Sequence, residues 1–435
     1  MEQSTNIKKI YCKYLSAAFG SALIASIYST VDAAMVGQYQ GPIGTAALAV
    51  IGPIWNIIFS LGLLTGIGGS VLFSTLRGKG ENNESNSYFT ASLILTIIIS
   101  LAIWVVVIFF DTPLLELFGA NEEILPLAKR YMLPIKFIIP FFPFTQMISS
   151  FLRNDNNPLL ATIAVLFGGI FNIFGDYYFV FAKDMGIFGA GLATAIGTTL
   201  STIIMLFHFI NKRNTLRLKK PTRFLLKSKE ICTSGFSTFF VDVAMGLLTM
   251  LFNRQVLKYL GTDALSVYGI IIYTSTFVQC CAYSVGQASQ PIISLNYGAG
   301  YKKNVNETLK YAIISAFGFG ILWTISVELA PNVFVKIFMS PTENILKIAP
   351  RILRTYGASF ILLPFNVFST YYFQAILKPR IAFTVSVLRG AILSGALILI
   401  SPIVFNADSI WLAMPITEFI IAVLVGVMIR RYQKI

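Results

Sequence analysis

Asp32, Asn172, Asp176 and Thr194 are oxygen-bearing side chains in stretches that otherwise read as membrane helix, as in "FNIFGDYYFV" at 171–180. Asp32 lies about six residues before the polar end of its apolar run at Gln38, and Asp176 about seven before Lys183. At 1.5 Å per residue both carboxylates fall roughly 10 Å inside the same membrane face. Asn172 sits one helical turn deeper than Asp176 on the same side. Thr194, about eight residues into the next run, is at a comparable level. An aspartate at mid-membrane costs on the order of 2.5–3.5 kcal/mol on insertion scales, so two in one layer need a remedy. No lysine or arginine in these runs is placed to supply it. The candidates are a proton or a hard cation such as sodium, for which carboxylate, amide and hydroxyl oxygens are suitable ligands. Tyr28 and Ser29, one turn before Asp32, are expected to line the same cavity.

The elements that must carry these groups are helices in lipid. Of the 435 residues 56% are hydrophobic and 12% charged, and the mean hydropathy is +0.74. That composition excludes a soluble globular protein. Apolar runs long enough to cross a bilayer core of about 30 Å recur between short polar breaks. About twelve are expected: 12–38, 45–75, 88–110, 128–152, 159–182, 186–211, 231–260, 264–292, 308–330, 345–374, 381–405 and 409–430. Continuously apolar stretches such as "LTIIISLAIWVVVIFF" lack the alternation of a barrel strand. The expected fold is therefore an all-α polytopic membrane protein.

The net charge of +14 lies in loops. Lys212, Arg213, Arg217, Lys219, Lys220, Arg223, Lys227 and Lys229 crowd the connection after the sixth run, and Arg77, Lys79, Lys302, Lys303, Lys378 and Arg380 fall in other even-numbered loops. These loops are expected on the cytoplasmic side, together with both termini. The same placement argues against nucleic acid as a partner. Cys12, Cys232, Cys280 and Cys281 lack metal-ligand spacing. His208, the single histidine, is expected to be structural or interfacial. No catalytic constellation and no phosphate-binding loop is present, so the chain reads as a non-enzyme without a cofactor, driven by an ion gradient if it pumps.

The chain also repeats itself. "ALAVIG" at 47–52 returns as "ALSVYG" at 264–269, "RGKG" at 77–80 as "YGAG" at 297–300, and "EEILPLAKR" at 122–130 as "ENILKIAPR" at 343–351, all at offsets close to 220. The expected organisation is an amino-terminal six-helix bundle over 1–211, a basic linker over 212–230 and a carboxyl-terminal bundle over 231–435. With six helices per half, both enter the membrane in one orientation and are related by a pseudo-two-fold axis along its normal. Pro134, Pro140, Pro143 and Pro364 interrupt the fourth and tenth runs at similar places and are expected to bend them.

Four segments carry a resemblance: "DAAMVGQYQGPIGTAALAV", "RNDNNPLLATIAVLFGGIFNIFGDYYFV", "MGIFGAGLATAIGTT" and "QPIISLNYGAGYKK". In their order and position the chain resembles the multidrug and toxic compound extrusion (MATE) family. The resemblance implies a secondary antiporter of the cell membrane that expels organic, often cationic and amphipathic compounds in exchange for sodium ions or protons. It also implies an amino-terminal cation site at Asp32, Asn172, Asp176 and Thr194. In the other half Asp242 and Glu418 are expected to host a cationic substrate, with Gln287 facing the cleft, and the 37 Phe and 19 Tyr would suit stacking and cation–π contact with it. A cleft internal to one duplicated chain needs no second copy, so a monomer in contact with lipid is expected. The runner-up is a lipid-linked precursor flippase of the related superfamily, which would need a cleft rich in cationic side chains.

Overall fold

The computed structural model describes residues 6–210, 214–338 and 341–433; Lys212 and Arg213 of the expected basic linker lie outside them. Every regular element among the described residues is helical. In chain order they are α1 (Ile7–Gly78), α2 (Asn82–Phe109), α3 (Asp111–Leu117), α4 (Leu125–Lys136), α5 (Phe141–Asn154), α6 (Pro158–Asp176), α7 (Ile187–Leu206), α8 (Phe224–Gly298), α9 (Lys302–Leu329), α10 (Pro331–Phe338), α11 (Glu343–Gly357), α12 (Leu363–Ala375), α13 (Pro379–Val387), α14 (Leu393–Val404) and α15 (Ala413–Gln433).

Two of these are too long to be single passages. The 72 residues of α1 would make a rod of about 108 Å, more than twice a bilayer with its headgroups. The helix is in fact two, joined at Gly41, whose φ of 68° and ψ of −157° are open to glycine and strained for any other residue. α8 is broken in the same way at Gly261, φ 81° and ψ −172°. The two breaks are 220 residues apart, as are the positive-φ turns at Gly80 and Gly300, so the repeat seen in the letters is also a repeat of backbone conformation. α4 and α5 meet at a 54° bend beside Pro134 and Pro140, where the prolines withhold backbone donors. Pro364 likewise opens α12. Among the described residues eight helices are long and apolar enough to cross a membrane, nine with the bent α4–α5 pair, and α1 and α8 are each long enough for two passages; the expected twelve is compatible with this.

Two compact units emerge. One comprises Ser16–Phe239 with Ser294–Gly300; the other comprises Phe240–Ile293 and Tyr301–Ile435 with the described residues before Ser16. The segment after α7 is held rather than loose. Asn86 Oδ1 accepts from Arg217 N at 2.9 Å and Thr90 Oγ1 from Lys219 N at 2.9 Å, which fastens the extended chain along α2. Lys227 is buried against Glu84 at 2.7 Å.

Asp155, between α5 and α6, is the hub of this end of the first unit. It pairs with Arg77 at 2.8 Å and with His208 Nε2 at 2.7 Å, and it accepts from the Thr215 backbone N–H at 2.9 Å. His208 is fully buried and its Nδ1 lies 3.0 Å from Asn157 Nδ2, the structural role expected of it. Burial by itself pushes the Asp155 carboxyl up, but His208, Thr215 and Arg77 outweigh it and hold it below the ordinary carboxylate range. A depressed carboxylate contributes stability that is present above its unfolded-state pKa and is lost as pH falls through the lower folded value. Thermal melts in detergent should therefore show the wild type losing stability between about pH 4 and its lowered midpoint, while Asp155→Asn starts about 1–3 kcal/mol less stable at pH 7 and lacks that acid-dependent loss.

Candidate functional site

Glycines bring α6 and α7 close enough for their polar side chains to meet. A Cβ on Gly168 would stand 2.5 Å from the Gly197 carbonyl oxygen, and one on Gly197 2.7 Å from that of Gly168. At this separation Asn172 Nδ2 donates to Thr194 Oγ1 at 3.0 Å. On the other side of α7, Gly191 admits the α4 backbone, because a Cβ there would lie 2.1 Å from the Tyr131 carbonyl oxygen. Tyr131 is thereby fixed beside Thr194, with its hydroxyl 3.5 Å from Thr194 Oγ1 and donating to Asp32 Oδ2 at 2.9 Å. Asp32, Tyr131, Thr194 and Asn172 thus form one chain of polar contacts linking α1, α4, α7 and α6.

Asp176 lies one turn beyond Asn172, fully buried, at the point where α6 passes into a π-helical turn over Tyr177–Ala182. The charge of Asp32 acts on it, and neither acid forms an ion pair among the described residues. Four buried oxygens here have no hydrogen-bond donor among the described residues: Asp32 Oδ1, Asn172 Oδ1 and both oxygens of Asp176. All four are acceptors. Buried acceptors left bare cost about 1–3 kcal/mol each, and more when charged, so the arrangement is complementary to a proton or a cation.

The structure therefore brings Asp32, Asn172, Asp176 and Thr194 together. Tyr28 lines a cavity with Asn172 and Thr194, of about 70 Å3, room for water or an ion. Ser29 is exposed and is not on its wall. Tyr131 was not legible as a site residue, since tyrosine is common in these helices and only the fold turns this hydroxyl toward Asp32. Tyr131→Phe removes the one donor Asp32 has among the described residues. The carboxylate then holds a cation more tightly, and the half-saturating cation concentration for efflux should fall about tenfold, with slower turnover. A cation titration of efflux from vesicles checks this.

The second unit is built differently. Glu418 was expected to host a cationic substrate, but its buried carboxylate is already matched. Arg389 Nε and Nη2 reach Glu418 Oε1 at 2.8 and 2.7 Å, and Asn366 Nδ2 donates to Oε2 at 2.6 Å. Arg389 sits in a π-helical turn, Leu388–Ile392, between α13 and α14, and its sequence distance from Glu418 in α15 hid this pairing. Asp242 forms no ion pair among the described residues and accepts from the Tyr283 hydroxyl, which in turn accepts from Gln279 Nε2 at 3.1 Å. Gln287 is half-buried.

Fold and site together define a multi-pass helical membrane protein whose halves repeat one plan and whose first half gathers bare acceptor oxygens within the membrane. The MatE family model matches residues 17–178 and again 237–398. The chain belongs to that family of multidrug efflux transporters, and the two matches are offset by 220 residues at both ends (237 − 17 and 398 − 178). It is 24% identical over 393 residues to the multidrug export protein MepA of Staphylococcus aureus (strain N315), covering 89% of this chain and 86% of that protein. It is 25% identical over 419 residues to MepA of Staphylococcus haemolyticus (strain JCSC1435), covering 94% and 90%. The MATE multidrug transporter DinF-BH, solved in complex with a small molecule, superposes with a TM-score of 0.90 at 24% identity, over 98% of this chain and 96% of that one.

Proposed function

We propose that this transporter is a secondary antiporter that exports cationic amphipathic compounds in exchange for Na+ or H+, with Asp32, Asn172, Asp176 and Thr194 holding the coupling ion. The observation that carries the reading is the set of four donorless acceptor oxygens on Asp32, Asn172 and Asp176. Binding of the ion removes the penalty of the bare carboxylates and so favours the conformation in which they are buried. Substrate would favour the other, and each ligand weakens the other by the same factor. The relatives' names support multidrug export as the activity, and a neighbour solved in complex with a small molecule supports a ligand of that size. In the same reading the protein is a monomer of the cell membrane with cytoplasmic termini, its bundles spanning 1–211 and 231–435 about the basic linker, and needs no bound cofactor.

The test is transport in vesicles of purified protein, loaded with a fluorescent organic cation, with sodium and proton gradients imposed separately. One gradient should drive accumulation against the concentration difference, and collapsing that gradient should stop it. Accumulation independent of both gradients, or movement of a lipid-linked precursor in place of the dye, would overturn the proposal.

A further inference from the structure

The second unit contains a cavity that matches the first unit's in position along the repeat and differs in chemistry. At the offset of 220 fixed by the two family matches, Ala25 and Tyr28 correspond to Met245 and Leu248, and all four line their respective cavities. Further along, where the left-handed residues Asn156 and Leu377 set the offset at 221, Gly168 on the first cavity's wall corresponds to Arg389 on the second's. Asp32 corresponds to Phe252, which also lines the second cavity. Each half has a hollow at this place, with a glycine on the first wall where the second has a guanidinium.

Arg389 is 91% buried (9% exposed). Of its five N–H donors, Nε and one on Nη2 go to Glu418. The remaining three (5 − 2) have no protein acceptor among the described residues. The pair with Glu418 cancels the charge but leaves these donors, so the cavity offers hydrogen bonds without a net field. Phe252, Tyr268 and Tyr356 supply flat apolar walls beside it. We propose that this cavity is a substrate subsite for aromatic compounds bearing an oxygen acceptor, such as an amide or carboxylate, which Arg389 recognises. This deepens the transporter reading and rests on it. The cavity holds about 70 Å3, enough for the acceptor and the edge of a ring. Met245 and Met414 on its wall are flexible side chains that can yield to the rest of the scaffold.

The experiment compares 9-aminoacridine with 9-aminoacridine-4-carboxamide, the same cationic ring without and with the acceptor, binding to the full-length protein in nanodiscs. Wild type should bind the carboxamide at least about tenfold more tightly, the range of a hydrogen bond to a charged donor. Arg389→Lys retains a cation for Glu418 but loses the planar fork, and the ratio should fall below about threefold. Ser275→Leu, which fills the cavity from a residue outside the ion pair, should remove the preference in the same way. Equal affinities in wild type, or a ratio that survives both substitutions, would refute the subsite. Gradient-driven uptake of 9-aminoacridine is scored in parallel, so that a failure of transport with an intact binding ratio counts against the antiporter and not against the subsite.

Discussion

Asp176→Asn is expected to reduce gradient-driven efflux at least about a hundredfold and, in the absence of coupling ion, to make the folded protein harder to unfold. The two effects have one origin. Asp176 is fully buried and neither of its oxygens has a hydrogen-bond donor among the described residues, so a charge there costs on the order of 2.5–3.5 kcal/mol at mid-membrane. Asparagine has nearly the same shape and no charge, which removes that cost and raises the melting temperature. It also removes the differential affinity on which the coupling depends, since a ligand can shift an equilibrium only by as much as its affinities for the two states differ. The wild type should be stabilised by its coupling ion according to RT ln(1 + [L]/Kd), and the variant should not. Efflux and melting curves measured on one preparation decide the matter. Undiminished efflux from Asp176→Asn, or a melting temperature lowered by several degrees, would show that the carboxylate is a structural hydrogen-bonding group.

Part of this site was legible before any coordinates. The cost of a carboxylate in an apolar run marks Asp32 and Asp176 in the sequence, and the helical rise puts them in one layer. Depth along a helix follows from counting residues, but the direction in which a side chain faces a neighbouring helix does not. Tyr131 and Arg389 both depend on that direction. Tyr131 reaches Asp32 only because Gly191 lets α4 lie against α7. Arg389 reaches Glu418 only because the π-helical turn Leu388–Ile392 that carries it packs against α15, 29 residues away in the chain. The repeat was legible as letters, and the fold gives it a physical cause in the φ > 0 turns at Gly41 and Gly261. The segment after α7 showed its charge in the sequence but not its attachment, because Arg217 and Lys219 are held through backbone N–H groups that any residue would supply.

Glu418→Ala should be the most destabilising single change in the second unit, by about 3–5 kcal/mol, because it strands a buried guanidinium. Arg389 is held at 2.7–2.8 Å by Glu418 and, among the described residues, by no other acid, so truncation leaves the full desolvation penalty of the cation in place. Asn366 also loses its acceptor on the carboxylate, although its bond to the Glu418 backbone carbonyl at 2.8 Å survives. Arg389→Met combined with Glu418→Met removes both charges and keeps the volume, and its stability should lie within about 1 kcal/mol of wild type or above it. The contrast separates two reasons for placing an ion pair at this depth. If stability were the reason, the double variant would be as damaged as the single one. A stable double variant that has lost its discrimination between acceptor-bearing and acceptor-free acridines would mean that the pair is retained for recognition: Glu418 is present so that Arg389 can be buried uncompensated by solvent, and Arg389 so that donors face the cavity where the other half of the molecule presents an acid.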